Sequence, residues 1–307
     1  MPELNTPFST DSRTRQQIIL ILRIVCFAVF AGRAWQHLFW DAPFRTLLWD
    51  ESLLKPVIEL LTNMSWYEYV TSETTDAYIQ GITRCFGFFY LMLAFMALFV
   101  KGNMKAIGRM LLVGAFCLAF LAFLYCKEKF FHVGQFFEYS AQFMSPILLY
   151  LALFSQIKVR SFVLIAKTAT ALTFICHGLY AVNFYPRPGN FVDMVINILG
   201  ISEPAAHTIL MVAGIMDFVI AFGMFMPHAA RVSLIYAVIW GVLTSLARIV
   251  ANFDMNFAGQ TLHQWTFETV YRIPHAGLPL VALILEGFSW RSVLKPTLFK
   301  RAKLETN

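Results

Sequence analysis

Residues 176–218 read CHGLYAVNFYPRPGNFVDMVINILGISEPAAHTILMVAGIMDF, and the fold is predicted from the pattern in this stretch. An apolar run ends in an aromatic segment that prolines interrupt, a short amphipathic piece follows, and a second apolar run begins. Each run extends far enough to cross a hydrocarbon core of about 30 Å, which requires roughly 20 residues. Because lipid offers no partners to backbone polar groups, such runs are predicted to be helices.

The rest of the chain has the same character. Of its 307 residues 58% are hydrophobic and 14% are charged, whereas a soluble domain has about 25% charged residues. We predict an all-α integral membrane protein with eight transmembrane helices. These spans are expected at residues 18–40, 78–100, 106–126, 133–156, 162–184, 204–227, 231–251 and 267–287.

The distribution of charge predicts the orientation in the membrane. Basic residues concentrate in the N-terminal segment, in the loops after the second, fourth and sixth spans, and in the C-terminal tail, whereas acidic residues occupy the other loops. The positive-inside rule then places both termini in the cytoplasm, which an even number of spans permits. The net charge of +6 is therefore a topology signal, and we expect the lipid bilayer as a partner and no nucleic acid.

The chain is predicted to contain a tandem repeat of four spans. The first span of each half runs into a proline-broken aromatic segment, HLFWDAPFRTLL (37–48) or AVNFYPRPGNFV (181–192), and the fourth span of each half contains Phe-Glu. A repeat with an even number of spans keeps one orientation, so we expect two parallel-repeat four-helix bundles side by side. The predicted segments are a cytoplasmic N-terminal segment (1–17), two membrane repeats (18–157 and 158–290) and a basic cytoplasmic tail (291–307).

Residues 176–218, with a histidine-glycine pair before the break and an amphipathic link after it, resemble the DoxX-like membrane proteins. The resemblance implies a four-helix unit with an outward-facing polar pocket, in a multi-pass protein of the bacterial inner (cytoplasmic) membrane. Some members of that group are small subunits of quinone-reducing sulfur oxidoreductases, and others are partners of thiol-redox systems. The five cysteines form no C-x-x-C pair, which argues against a thiol role and leaves a quinone as the suggested ligand.

A first candidate constellation lies at the end of the first span. Arg33, His37, Asp41 and Arg45 recur every four residues, so on a helix they share one face and could form a ladder of hydrogen bonds. Pro43 is expected to break the helix after Asp41, which places Arg45 in a segment that folds back along the outer surface. The residues are interpreted either as a self-neutralising interfacial helix end or as one wall of a polar pocket.

A second constellation lies in the last span. Glu268, Arg272 and His275 fall on one helical face, and Glu138 occupies the position of Glu268 in the first repeat. His177 and Asp217, in the fifth and sixth spans, are further candidates, whereas Arg248 of the seventh span is noted only as an intramembrane cation. Ionisable residues within spans usually pair or face a cavity, so this group either ties helices together or moves a proton and orients a polar ligand. The two histidines could ligate haem iron, but no spacing motif supports haem, and no metal site is predicted.

Three functions follow from these features. The first is a redox-associated membrane protein with a pocket for a quinone or another small molecule. The second is a non-catalytic accessory or scaffold subunit of a larger membrane complex. The third is a transporter, which only the repeat and Asp217 suggest. No nucleotide-binding or hydrolase motif is present in the sequence, and no residue is assigned a catalytic role.

Overall fold

A computed structural model of the chain describes residues 12–287, so residues 1–11 and the basic tail at 291–307 lie outside the described part. Within residues 12–287 the secondary structure is helical, without β-strands. A 3₁₀ turn, Met255–Phe257, precedes the thirteenth α-helix. The α-helices are α1 (Ser12–Phe39), α2 (Arg45–Leu48), α3 (Glu51–Leu61), α4 (Trp66–Thr71), α5 (Glu73–Phe99), α6 (Lys105–Glu128), α7 (Val133–Glu138), α8 (Ser140–Phe154), α9 (Val159–Ala181), α10 (Gly189–Leu199), α11 (Glu203–Gly223), α12 (Ala230–Asn252), α13 (Ala258–Tyr271) and α14 (Pro274–Leu285).

Six helices in the described part are long and apolar enough to cross a membrane: α1, α5, α6, α9, α11 and α12. They coincide with six of the eight predicted spans, so the prediction of a multi-pass helical membrane protein is confirmed. The predicted spans at 133–156 and 267–287 differ from expectation, because each consists of two shorter helices separated by a buried break.

The two breaks have identifiable local causes. Pro274 has no N–H to continue the hydrogen-bond ladder of α13, so the chain begins a new helix there. Between α7 and α8, the amide of Ala141 donates to Thr173 Oγ1 of α9 at 3.1 Å instead of joining a continuous helix. Irregular backbone at membrane depth is tolerated only when protein surrounds it, and both breaks are buried.

The centre of the molecule is built from α1, α8, α9 and α14, which pack on one another. α5 and α6 flank α1 and α8 on one side, and α11 and α12 flank α9 and α14 on the other. Arg15 at the start of α1 donates to the carbonyl of Ala152 near the end of α8, and Lys167 pairs with Glu286 after α14. Both ends of the described chain therefore lie at the same end of the bundle, which we call the terminal end.

Short amphipathic helices occupy the opposite end. α2, α3 and α4 connect α1 to α5, and α10 connects α9 to α11. α1 ends at Phe39, before Pro43 as predicted. α10 ends at Leu199 and is capped by Gly200, whose φ of 64° is a left-handed conformation that glycine adopts without strain. Because α10 also packs on α12, it forms one wall of the cavity described next.

Candidate functional site

A cavity of about 520 Å³ lies between α9, α10, α11 and α12, next to the break between α13 and α14. Four of the predicted site residues line it: His177, Asp217, Arg272 and His275. Arg248 of α12 lines it as well. We call this space the histidine cavity. The sequence grouped most of these residues only by their position within spans, and the fold brings them to one volume.

The walls of the histidine cavity are sorted by polarity. Its exposed lining residues are all apolar and lie on α10, α11 and α12: Ile198, Leu199, Ile209, Leu243, Leu246 and Val250. Its charged lining residues are instead buried, with Arg248 only 3% and Arg272 only 9% exposed. The mouth is therefore apolar, and the polar groups lie at the inner end.

The two histidines contact each other at that inner end. Nε2 of His177 lies 3.3 Å from Nε2 of His275. Nδ1 of His275 lies 2.8 Å from the carbonyl oxygen of Arg272, which also accepts from the backbone amide of His275 at 2.9 Å. A carbonyl only accepts, so Nδ1 of His275 carries a proton and Nε2 is the acceptor in the neutral ring.

Glu138 reaches this pair from the other half of the chain. It lies on α7, is 7% exposed, and its Oε1 is 3.6 Å from Nδ1 of His177. Its Oε2 accepts a hydrogen bond of 2.9 Å from Nε2 of Gln135. The sequence placed Glu138 in the first repeat, whereas its side chain contacts the histidine of the second.

Two guanidinium groups lie beside the histidines, and they differ in the partners that neighbouring side chains offer them. Nε of Arg248 is 3.5 Å from Oε2 of Glu268, a distance at which charge attraction persists without a good hydrogen bond. Nε of Arg272 is buried and has no hydrogen-bond partner among the described residues. Glu268 thus faces Arg248 of α12, whereas the sequence had grouped it with Arg272 and His275 on one helical face. This end of the cavity can hold an electron-rich oxygen.

Asp217 stands apart from the histidines on another wall of the cavity. It is 5% exposed, and its Oδ1 makes no hydrogen bond within the described part of the chain. Trp240 lines the cavity with it. A buried polar atom without a partner is costly, so Asp217 is a second polar contact that a ligand in this cavity could satisfy.

Arg33 is in a separate site that is fully packed. Its Nη2 and Nε donate to Oε1 of Gln142 at 2.7 and 3.1 Å, and its Nη1 donates to Oε1 of Gln36 at 2.7 Å. Three tyrosine rings surround the guanidinium, the nearest being Tyr271, 3.8 Å from Cζ to the ring centroid. Cation–π contacts and charge-assisted hydrogen bonds stabilise this cation. No ligand space lies beside it in the described cavities.

Of the predicted ladder of Arg33, His37, Asp41 and Arg45, the pair between Asp41 and Arg45 is present. Nδ1 of His37 bonds the carbonyl of Arg33 at 2.6 Å, and its ring packs against Tyr90 and Phe44. Asp41 lies beyond the end of α1, is exposed, and pairs with Arg45 at 2.5 Å. Because α1 ends before Pro43, Arg33 and His37 are buried in the bundle and are separated from this pair.

Several side chains of both sites were not among the sequence candidates. Arg248 was recognised as an intramembrane cation but not as part of the site, and Trp240 gave no signal of its own. The tyrosine cage of Arg33 combines residues from α6, α13 and the break after α7, which no spacing pattern connects. Groups of three or more histidine, cysteine, aspartate or glutamate side chains suited to a metal ion do not occur among residues 12–287.

Comparison with known families places the histidine cavity in a recognised segment. A sequence model of the DoxX-like family matches residues 171–272, roughly a third of the chain. The matched segment contains His177, Asp217, Arg248 and Arg272 and ends just before His275. The resemblance noted from the sequence is confirmed for these residues. The chain has no match among curated proteins or among solved structures.

Proposed function

We propose that the histidine cavity, formed largely by the segment 171–272 that matches the DoxX-like family, binds a lipid-soluble small molecule of the quinone class. The protein would act in a redox-associated role in the membrane. The observation that carries the proposal is the division of the cavity into an apolar mouth and a polar inner end.

The mouth supports a ligand that arrives from the bilayer. All the exposed lining residues are aliphatic, and those of α11 and α12 belong to helices whose outer surfaces are largely apolar. A water-soluble substrate would have to cross this rim without any polar contact. A quinone ring with an apolar tail gains from it, because burial of apolar area stabilises binding by about 25 cal/mol per Å².

The inner end supports a ligand with carbonyl or hydroxyl oxygens. His177 has an N–H at Nε2 that faces Nε2 of His275 and that a ligand oxygen could share, and Nε of Arg272 is buried without a hydrogen-bond partner in the described residues. Such donors suit a quinone oxygen and can stabilise negative charge that develops on it. A few polar groups at one end of an apolar pocket are typical of small-molecule sites.

We also propose that the chain is a tandem duplication, with both termini in the cytoplasm. In each half a glycine of the second long helix packs against the end of the first: Gly87 against His37 and Leu38, and Gly214 against Ala181 and Val182. The same correspondence aligns Arg33 with His177. Pro146 and Pro279 each follow the break of the last span by seven residues, which aligns Gln142 with His275. This alignment replaces the correspondence of Glu138 with Glu268 that the Phe-Glu pairs suggested. The pairs Arg33–Gln142 and His177–His275 would then be equivalent contacts, one packed and one beside a cavity.

The proposal is tested by ligand binding to the purified full chain in lipid nanodiscs, with decylubiquinone as the probe. Because Trp240 lines the cavity, we expect saturable quenching of tryptophan fluorescence that is lost from the Trp240→Phe variant. Ala213→Phe places a ring inside the cavity and should raise the Kd tenfold or more. Val219→Phe is the matched control on the same helix, since Val219 is 56% exposed and lies outside the lining.

Absence of saturable quenching in the wild-type protein would overturn the quinone proposal. A protein that binds no probe but purifies from its native membrane with fixed stoichiometric partners would instead support the accessory-subunit function. Equal effects of Ala213→Phe and Val219→Phe would show that the probe partitions into lipid and does not occupy the cavity.

A further inference from the structure

Three titratable side chains from both halves of the chain lie in a row that ends at the histidine cavity. Oε1 of Glu138 is 3.6 Å from Nδ1 of His177, and Nε2 of His177 is 3.3 Å from Nε2 of His275. Both histidines line the cavity, whereas Glu138 lies behind them and does not. The row therefore connects the cavity with the interior of the first half of the chain.

One fixed acceptor determines where each proton in the row lies. The carbonyl of Arg272 requires the proton of His275 at Nδ1, so Nε2 of His275 is a lone pair in the neutral ring. Nε2 of His177 must then donate, which leaves Nδ1 of His177 as an acceptor facing Glu138. Since Oε2 of Glu138 already accepts from Gln135, the proton that completes the row is on Oε1 of Glu138.

The surroundings favour this neutral assignment. The charged groups that face the row are Arg248 of α12, Arg272 at the break and Arg33 of α1, and Glu268 faces Arg248. A protonated histidine would place another positive charge among these cations in a medium of low dielectric constant. The other titratable neighbours are the uncharged side chains of Cys176, Tyr180 and Tyr139.

We propose that Glu138, His177 and His275 form a proton relay that delivers a proton to an oxygen of the bound ligand. The relay rests on the proposed function, because it needs a ligand oxygen near Nε2 of His177. Before the transfer, His275 accepts from Nε2 of His177 and so holds His177 in the Nε2–H tautomer. In the transfer, this N–H turns from His275 to an anionic ligand oxygen, where an O–H bond forms as the N–H bond breaks. The O–H bond of Glu138 breaks as an N–H bond forms at Nδ1 of His177, which leaves a carboxylate.

The far end of the relay leads to the surface of the bundle opposite the terminal end. Glu138 is the last residue of α7, and Val133 at the start of that helix is 56% exposed. Gln135 lies between them and bonds the carboxyl group directly. Glu138 can be reprotonated from water at this end, so the direction of supply is from the first half of the chain into the cavity of the second.

The starting state can be tested without any ligand. Infrared spectra of the protein in lipid should contain the carbonyl stretch of a protonated carboxyl group that disappears in Glu138→Gln. The band should shift in His177→Phe, which removes the acceptor at Nδ1 but keeps an aromatic ring. Glu128→Gln, a matched substitution of an exposed carboxyl group at the end of α6, should leave the band unchanged. A spectrum that Glu138→Gln does not alter would overturn the relay.

The transfer is tested with 2-hydroxy-1,4-naphthoquinone, whose anion and neutral form have different absorption spectra. We expect the wild-type protein to bind the anion and convert it to the neutral form, and Glu138→Gln to bind it but leave it anionic. Glu128→Gln should behave as wild type. An anionic bound ligand in the wild-type protein, or a neutral one in Glu138→Gln, would contradict the relay. Failure of the wild-type protein to bind the probe would contradict the proposed function, while the infrared band would still test the starting state.

Discussion

At the scale of single residues, the histidine cavity depends on a close approach that only glycine permits. A Cβ atom at Gly241 of α12 would lie 2.6 Å from the backbone carbon and oxygen of His275. Contacts below 3.0 Å to backbone require a movement of the chain, so any larger residue must push the start of α14 away from α12. Because His275 is the residue displaced, Gly241 positions the histidine pair through packing alone.

We therefore expect Gly241→Ala to destabilise the protein by about 1–3 kcal/mol, the usual cost of overpacking, and to weaken binding of decylubiquinone. Gly259→Ala is the matched control, since a Cβ at Gly259 meets no atom within 4 Å and alanine favours the helix. Thermal unfolding in detergent and probe titration measure the two effects. Equal stability of both variants would contradict the close packing of α12 on α14.

Single residues also show why the sequence predicted the site only in part. Ionisable side chains in lipid are costly, so those within the predicted spans became the candidates. They are Glu138, His177, Asp217, Glu268, Arg272 and His275. That argument gives no partner, because the contact between Glu138 and His177 joins two helices whose packing no local pattern specifies. The ladder of Arg33, His37 and Asp41 was plausible on helical spacing, yet the helix ends too early for Asp41 to take part.

At the scale of elements, an ion pair at the N-terminus of α3 connects this helix to α6. Asp50 is the N-cap of α3 and accepts from the amide of Leu53, and it also pairs with Lys127 at the end of α6. The remaining residues of α3 contribute no buried side chain. The ammonium group of Lys127, with the Ser52 hydroxyl, lowers the pKa of Asp50 to about 2. The position of this helix therefore depends on an ionised Asp50.

The lowered pKa predicts how the docking of α3 responds to pH. An unfolded aspartate has a pKa of about 3.9, so the contribution of Asp50 is complete above pH 4 and is lost as the pH falls towards 2. We expect hydrogen exchange in α3 to accelerate over that window.

Asp50→Asn keeps an N-cap but removes the charge, so its exchange should be fast at every pH. Glu51→Gln, which disrupts only the exposed pair with Lys55, should resemble wild type. An unchanged exchange rate in Asp50→Asn would disprove the role of the ion pair.

Elements were predictable where a run of apolar residues was unbroken. The six long helices follow from length and composition, and Pro43 correctly marked the end of α1. The last span of each half was predicted as one helix because its hydropathy is continuous across the break. At Pro274 the break had a local signal, whereas at Ala141 it depends on Thr173 of another helix, which the sequence does not reveal.

At the scale of the whole molecule, the two halves share one interface but differ in what they enclose. The central helices α1, α8, α9 and α14 hold a packed arginine on one side and an open pair of histidines on the other. Under the proposed duplication, one copy has become structural, since the Arg33 guanidinium fills its site with glutamine and tyrosine contacts. The other copy keeps a cavity and receives Glu138 from its neighbour. Function would then need both halves.

The proposed orientation predicts which loops are accessible from each side of the membrane. The connection containing Thr62 lies opposite the terminal end and would face outward, while Gly102, between α5 and α6, would face the cytoplasm. We expect Thr62→Cys to react with a membrane-impermeant maleimide on intact cells, and Gly102→Cys to react only after permeabilisation. Cys85→Ser serves as the background, because Cys85 is the exposed cysteine among the described residues.

The reverse pattern would invert the topology and place the mouth of the histidine cavity in the cytoplasmic leaflet. Labelling of both positions on intact cells would mean that the label crosses the membrane, which a cytoplasmic control protein detects.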